Sequence, residues 1–140
     1  MSTRHVTADE LRRLMPGSRD AHEDLQDAVM VYLRVVAKLP VTAIYTGPIP
    51  VLRNGQLIRA RANPDQAGIA DLIVALPPTG RLWMLELKSS ANAHRSPVQV
   101  RKAREYAAAG ALCTIARSVD DVRAVVEANA AAHPNTRRKA

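Results

Sequence analysis

Three charged residues, an aspartate, a glutamate and a lysine, stand at the ends of two apolar segments. Asp71 opens the segment 72–76, whereas Glu86 and Lys88 end the segment 82–87. If both segments are β-strands, Glu86 and Lys88 point to the same face, because side chains alternate along a strand. The turn "PPTG" makes the strands antiparallel and brings position 71 opposite roughly position 87 or 88. Asp71 is therefore expected to meet Glu86 and Lys88.

Two carboxylates held this close either share a proton or bind a cation. Their hard oxygen ligands suit Mg²⁺ or Mn²⁺ rather than zinc. A lysine beside such a cation could stabilise the charge that develops during in-line attack on a phosphate, so the set predicts phosphodiester hydrolysis. Spacing alone leaves a second interpretation open, in which Glu86 and Lys88 form an exposed ion pair and Asp71 only caps a strand.

The elements that would position these residues follow from the sequence pattern. Apolar residues recur at three and four positions over about 20–38, which is typical of an amphipathic helix that Pro40 ends. The strand "VTAIYT" follows, and Asn54-Gly55 inside "VLRNGQLIRAR" predicts a two-residue hairpin turn. The two apolar segments described above form a second hairpin, which we expect at the centre of the sheet.

The last third of the chain predicts a helix, a strand and a further helix. Ser96 and Pro97 are typical of the N-cap and first residue of a helix that runs to about residue 109, where Gly110 closes it. The strand "ALCTIA" follows, and Ser118 caps the last helix at "SVDD". This order of elements predicts a mixed sheet flanked by helices.

Composition and charge favour one domain that binds a polyanion. The 140 residues suffice for a single core, and 20 Lys and Arg against 13 Asp and Glu give a net charge of +7. Nucleic acid is the more natural partner than a membrane, although an aromatic content of 3% argues against a base-stacking platform. No apolar segment approaches the roughly 20 residues of a membrane span, and no signal peptide is recognisable. We therefore expect a soluble, cytoplasmic protein.

Four short motifs follow one another along the chain: "HEDLQDAV", "GIADLIV", "LELK" and "SPVQ". They resemble the VRR-NUC family of the PD-(D/E)xK nuclease superfamily, whose pattern joins a glutamate on the first helix, a Gly-x-x-Asp-Leu, an E-x-K strand and a Ser-x-x-Gln helix start. The resemblance runs from about residue 22 to 127. It implies a three-layer α/β/α sandwich with a mixed central sheet and a restriction-endonuclease-like core.

One departure from the superfamily concerns its proline-aspartate pair. This chain has Pro64-Asp65 six residues before Asp71, and Ala70 precedes Asp71 itself. Asp65 lies in a polar loop, whereas Asp71 directly leads an apolar strand and fits the hairpin. We therefore predict that Asp71 is the catalytic acid.

The resemblance implies a metal site of four residues. Asp71 would be the central ligand of Mg²⁺ or Mn²⁺, and Glu86 the second ligand from the strands. Glu23 would bind the metal directly or through water, and the carbonyl of Leu87 would complete the shell. His22 adjoins Glu23 and His94 lies in the loop after Lys88, so either could approach the site. Neither has a Cys or His partner at zinc spacing, and both are predicted to be surface residues.

Two further residues have implied catalytic roles, and several basic residues have implied binding roles. Lys88 would position the attacking water and stabilise developing charge, and Gln99 would orient Lys88 or the water. Gly68 would allow a tight backbone near the scissile phosphate. The candidate phosphate contacts are Arg59, Arg61, Arg95, Arg101, Lys102 and Arg104.

The resemblance also implies a domain plan and a substrate. We expect an N-terminal appendage with a short helix over 1–19, a VRR-NUC-like nuclease domain over 20–131 and a basic tail over 132–140. Short members of the family resemble phage-type Holliday junction resolvases, which implies a homodimer that cuts branched DNA. Two alternatives stay open: a sequence-specific or nicking endonuclease on duplex DNA, and a non-catalytic nucleic-acid-binding module.

Overall fold

A computed structural model describes residues 3–5, 21–44, 49–60 and 67–134. The predicted N-terminal helix, Pro64-Asp65 and residues 135–140 of the basic tail lie outside the described residues. The elements that the structure describes are β1 (Thr3–His5), α1 (Ala21–Val31), a π-helical segment (Tyr32–Val36), β2 (Val41–Ala43), β3 (Ile49–Arg53), β4 (Gln56–Ala60), β5 (Leu72–Leu76), β6 (Arg81–Leu87), α2 (Pro97–Ala108), β7 (Leu112–Ala116) and α3 (Val119–Ala132).

The central sheet has four strands in the order β2, β5, β6, β7. Strand β5 runs antiparallel to β2 and β6, whereas β7 runs parallel to β6, so the sheet is mixed as predicted. The predicted hairpin of β5 and β6 occupies its centre. Helices cover both faces of this sheet, which confirms the α/β sandwich.

The register of the central hairpin differs by one residue from the prediction. Leu72 pairs with Leu85 and Leu76 with Arg81, so position 71 lies opposite Glu86 rather than residue 87 or 88. The turn occupies the four residues 77–80, which are the "PPTG" segment. Asp71 still lies next to Glu86 as predicted, because the register differs by only one position.

One face of the sheet carries the core of the described structure. Leu72, Val74 and Leu85 are fully buried there against Val29 of α1 and Val122 of α3. Burying each such side chain contributes about 1.5–3 kcal/mol. Trp83 lies on the same face and donates its indole N–H to Thr114 at 2.8 Å, which satisfies its polar atom.

Helix α2 covers the opposite face, where the even-numbered residues of β6 point. Cys113 of β7 donates its thiol to the carbonyl of Ala103 in α2 at 3.5 Å. The strands and α2 also enclose a cavity of about 10 Å³, lined in part by Met84, Glu86 and Gln99. The site residues on β6 therefore face α2, away from the main core.

The first predicted helix changes its winding before it ends. Its last part is π-helical, and the N–H of Ala37 donates to the carbonyl of Tyr32, five residues back, at 2.9 Å. The backbone then reverses at Lys38, which has a φ of 55°. Pro40 explains the end, because a proline disfavours helical conformation in the residue before it.

The second sheet contains a predicted hairpin and a strand that was not predicted. Asn54 and Gly55 form its two-residue turn, and their φ values of 51° and 75° are those of the type I′ turn. Strand β1 pairs with β3 to complete a sheet in the order β1, β3, β4. Within the described residues, no helix is long and apolar enough to cross a bilayer.

Candidate active site

Asp71 is held by the strands on both of its sides. Its carbonyl accepts a hydrogen bond from Ile44 at 2.8 Å, which extends the pairing of β2 with β5. Its carboxylate Oδ2 accepts from the backbone N–H of Leu87 at 2.7 Å, across the central hairpin. The side chain keeps 24% exposure. Asp71 is therefore fixed in position and still accessible to a ligand.

Glu86 is the buried polar side chain of the central hairpin, with 7% exposure. It lies between the buried Leu85 and Leu87 but points to the opposite face of the sheet. Its pKa is raised from 4.5 to about 7: burial is the largest cause, the negative charge of Asp71 acts in the same direction, and Lys88 acts in the opposite one. Lys88 alone therefore does not compensate the negative charge of Glu86 in this buried position.

Lys88 and Gln99 complete a hydrogen-bonded cluster with Glu86. The Lys88 Nζ lies 3.5 Å from Glu86 Oε1 and donates to Gln99 Oε1 at 3.3 Å. The amide Nε2 of Gln99 donates to Glu86 Oε1 at 2.7 Å. The structure therefore brings together four predicted catalytic residues, Asp71, Glu86, Lys88 and Gln99.

The N-terminus of α2 determines where Gln99 points. Ser96 accepts from the N–H of Gln99 at 3.2 Å, and the Gln99 side chain accepts from the N–H of Ser96 at 2.9 Å. This is a capping box, which satisfies two N–H groups at the helix end. The amide oxygen that serves the cap also receives the Lys88 ammonium, so the helix cap and the cluster share one side chain.

Arg117 holds the loop between Lys88 and α2, and the sequence analysis did not single it out. Its guanidinium donates to the carbonyl of Ser90 and, at 2.9 Å, to that of Ala93. Its own backbone N–H donates to Asp121 of α3 at 2.8 Å. Its position directly after β7 could have indicated from the sequence that it lies near the site, because β7 runs parallel to β6 and ends beside Lys88.

Helix α1 brings His22 close to Asp71, as the sequence allowed, and its side chain remains partly exposed at the surface. His22 Nε2 lies 3.6 Å from Asp71 Oδ2, and the side chain is 37% exposed. Glu23 is exposed in the first turn of the same helix. Within the described residues, no three His, Cys, Asp or Glu side chains form a group that could hold a metal. Ligation by Glu23, directly or through water, stays a prediction.

The donor set fits a hard divalent cation. Asp71 and Glu86 supply carboxylate oxygens. The pKa of Glu86 is raised because its negative charge would be buried and would lie close to that of Asp71. A cation between the two carboxylates would supply that compensation and favour the ionised form of Glu86. Oxygen ligands of this kind suit Mg²⁺ or Mn²⁺. The Leu87 carbonyl as a further ligand stays a prediction.

The predicted phosphate-binding residues do not all lie together. Arg95 and Arg101 line one surface groove beside α2, together with Arg104, whereas Lys102 does not line it. Arg59 belongs to β4 in the other sheet, and Arg61 lies outside the described residues.

Comparisons with known proteins find a match in structure. No protein-family model matches the chain, and no curated protein matches it. A solved structure described as a VRR_NUC domain is 22% identical, with a TM-score of 0.52 and coverage of 78% of this chain and 97% of that one. A VRR_NUC domain protein is 17% identical, with a TM-score of 0.50 and coverage of 80% and 89%. This chain has the VRR_NUC domain fold.

The VRR_NUC fold agrees with the motifs that the sequence resembles. Asp71 precedes β5, Glu86 lies near the end of β6, Lys88 directly follows that strand, and Gln99 lies in the first turn of α2. Residues far apart in the sequence therefore meet at one end of the central hairpin. The residues of these motifs therefore lie close together in this fold.

Proposed function

We propose that this chain is an Mg²⁺- or Mn²⁺-dependent endodeoxyribonuclease that hydrolyses phosphodiester bonds. The observation that carries the proposal is the cluster of Asp71, Glu86, Lys88 and Gln99, in which two carboxylates and an ammonium group are held by hydrogen bonds at a half-buried site. A strand-end ion pair on an exposed face does not account for this cluster, because Glu86 is buried.

Asp71 and Glu86 would hold the divalent cation, with the Leu87 carbonyl and Glu23 as further ligands. Such a cation polarises a phosphoryl oxygen and makes water a better nucleophile at neutral pH. Asp71 is suited to this task because the Leu87 N–H occupies one of its oxygens at 2.7 Å and fixes its orientation. Its second oxygen would bind the cation.

Lys88 would act on the reacting phosphate. Its ammonium group lies at hydrogen-bond distance from Gln99 and near Glu86, so it is positioned and desolvated before substrate arrives. A fixed positive charge stabilises the negative charge that develops on the phosphate oxygens and can orient the attacking water. Gln99 would act through Lys88 and Glu86 as a positioning residue.

We further propose that the substrate is branched DNA and that the active form is a homodimer. The support is the resemblance of the motifs to Holliday junction resolvase-like members of the family. Symmetric cutting of a junction needs two active sites, which a homodimer supplies. Sedimentation velocity would test the dimer, and a strictly monomeric species would contradict resolvase activity.

The test is cleavage of labelled four-way junction, flap and linear duplex DNA with Mg²⁺, with Mn²⁺ or with EDTA. We expect paired, symmetric junction cuts that need the metal, and a rate about 100-fold lower for Lys88→Ala. The control is Lys38→Ala, an exposed lysine outside the cluster. Preferential cutting of linear duplex would indicate a duplex or nicking endonuclease, and DNA binding without cleavage in any metal would refute the nuclease.

A further inference from the structure

Three arginines beside the cluster differ from the other arginines whose side chains the structure describes. Arg95, Arg101 and Arg104 make no hydrogen bond or ion pair with any described residue, and Arg4 and Arg53 do interact with other groups. The guanidinium groups of the remaining four donate hydrogen bonds to oxygen atoms of the protein. The pairs are Arg34 with Val41, Arg81 with Gly110, Arg117 with Ser90 and Ala93, and Arg123 with Asp120.

The three arginines line a single groove of about 540 Å³ along α2. Arg101 and Arg104 are three residues apart in the helix and therefore share a face, and Arg95 comes from the loop before it. Pro97 and Val100 form an apolar part of the lining, and Glu105 is its acidic member. Three positive charges against one negative charge make the groove attractive to an anion.

The groove is continuous with the candidate active site through Arg95. This residue also lines the small cavity between α2 and the sheet, where Glu86 and Gln99 are found. Arg95 is half-buried, whereas Arg101 and Arg104 are exposed farther along the helix. The positive charge therefore extends outward from the cluster along one side of α2.

We propose that this groove binds backbone phosphates of the nucleic-acid strand next to the bond that is cut, a proposal that rests on the proposed function. A guanidinium group matches a phosphate with two parallel hydrogen bonds, which explains arginine at all three basic positions. The apolar lining of Pro97 and Val100 suits the sugar between successive phosphates. The groove reads no base, so it contributes affinity and register in any sequence.

The test measures binding separately from cleavage. Fluorescence anisotropy with a labelled four-way junction in EDTA, over a series of salt concentrations, gives the Kd and its salt dependence. For the double variant Arg101→Ala/Arg104→Ala we expect a Kd about tenfold weaker and a slope of log Kd against log salt that is smaller by about 2, one for each lost phosphate contact. Circular dichroism verifies that the variant is folded.

The matched control removes the same charge from the other side of the sheet. The double variant Arg34→Ala/Arg123→Ala alters two arginines that already have protein partners. We expect its Kd and salt slope to stay near the wild-type values. Equal losses in the two double variants, or no loss at Arg101 and Arg104, would overturn the groove proposal.

Cleavage kinetics show whether the groove proposal or the proposed nuclease function is wrong. With Mn²⁺, the variant of Arg101 and Arg104 should raise KM and leave kcat within about twofold, because these residues bind phosphates away from the reacting atoms. A fall in kcat at unchanged KM would overturn the groove proposal. If wild-type protein shows the salt-dependent groove binding but cuts no DNA in any metal, the groove stands and the nuclease function fails.

Discussion

Glu86 is the residue whose chemistry depends most on its surroundings. A carboxylate on a central strand of the sheet, with 7% exposure, is costly to ionise, and Asp71 adds to the cost. Its pKa of about 7 means that the folded protein keeps a proton that an unfolded chain releases near pH 4.5. Stability and cation binding at this residue should therefore depend on pH in opposite directions.

The first prediction concerns the stability of the Glu86→Gln variant. Between about pH 4.5 and 7 the folded state binds more protons than the unfolded state, so the free energy of unfolding falls as the pH rises through this window. Relative to Glu86→Gln, the wild type should lose on the order of 1–3 kcal/mol from pH 5 to pH 8. Urea unfolding in EDTA at both pH values measures this difference.

Glu127→Gln supplies the control for this measurement, because Glu127 is an exposed glutamate of α3. It should follow the wild type at both pH values. Added Mn²⁺ should stabilise the wild type at pH 8 and have little effect on Glu86→Gln. If the difference in the free energy of unfolding between wild type and Glu86→Gln stayed constant with pH, the raised pKa of Glu86 would be contradicted.

The sequence was sufficient to predict some residues of the site and insufficient for others. Alternation along a strand and the short "PPTG" turn determine which residues Glu86 and Lys88 can meet, so local rules led to Asp71. For His22 the sequence indicated only that it could approach the site, and Arg117 was not singled out, because their contacts join elements far apart in the chain. Such contacts depend on how helices pack on the sheet, which periodicity does not specify.

At the scale of elements, the N-terminus of α2 serves both the helix and the cluster. Two serines cap two helices in the same way: each accepts from the N–H of the third helical residue at 3.2 Å, Ser96 in α2 and Ser118 in α3. Only the first cap involves a residue of the cluster, Gln99. The two caps therefore form a natural matched pair.

The second prediction compares Ser96→Ala with Ser118→Ala. Each variant should lose about 1 kcal/mol of stability, because each leaves a helix N–H without its acceptor. Only Ser96→Ala should also lower the cleavage rate, by about tenfold, since Gln99 loses its fixed orientation. Thermal unfolding and single-turnover cleavage measure the two effects. Equal cleavage rates in the two variants would show that the cap does not orient Gln99.

The third prediction concerns the packing of Gly68 against α2. A Cβ at Gly68 would lie 2.5 Å from the Val98 side chain and 2.7 Å from the Val98 carbonyl, whereas a Cβ at Gly80 would meet nothing within 4 Å. Both glycines have a similar positive φ, 78° and 74°. Alanine should therefore strain the backbone equally at both positions. Only Gly68→Ala should lose a further ~1–3 kcal/mol of stability, because its Cβ would displace α2.

Thermal unfolding of both alanine variants gives the difference between them, and cleavage shows its effect on the site. Gly68→Ala should lose activity as well as stability, because a displaced α2 carries Gln99 away from Glu86. Similar melting temperatures for the two variants would mean that the loop at Gly68 can move without disturbing α2.

The elements themselves were largely predictable, with two instructive exceptions. Caps at Ser96 and Ser118 and the Asn54-Gly55 turn act locally, so the sequence determines them directly. The π-helical segment at the end of α1 and the pairing of β1 with β3 were not predicted. A three-residue strand carries too little pattern to recognise, and its partner lies some 50 residues away in the sequence.

At the scale of the whole molecule, the two faces of the central sheet have different tasks. One face buries aliphatic side chains against α1 and α3 and provides stability. The other carries the cluster and α2, whose outer side presents the arginine groove. The net charge of +7 agrees with a polyanionic partner. This separation permits changes at the groove without loss of the fold.

In the proposed function, the carboxylates of Asp71 and Glu86 are the metal-binding centre of a nuclease. The most direct measurement is the initial cleavage rate of a labelled four-way junction in Mn²⁺ by wild type, Asp71→Asn and the control Arg123→Ala. Because Asp71 would hold the metal, we predict a rate at least about 100-fold lower for Asp71→Asn, and a wild-type rate for Arg123→Ala. Cleavage by Asp71→Asn at the wild-type rate would show that Asp71 does not hold a catalytic metal.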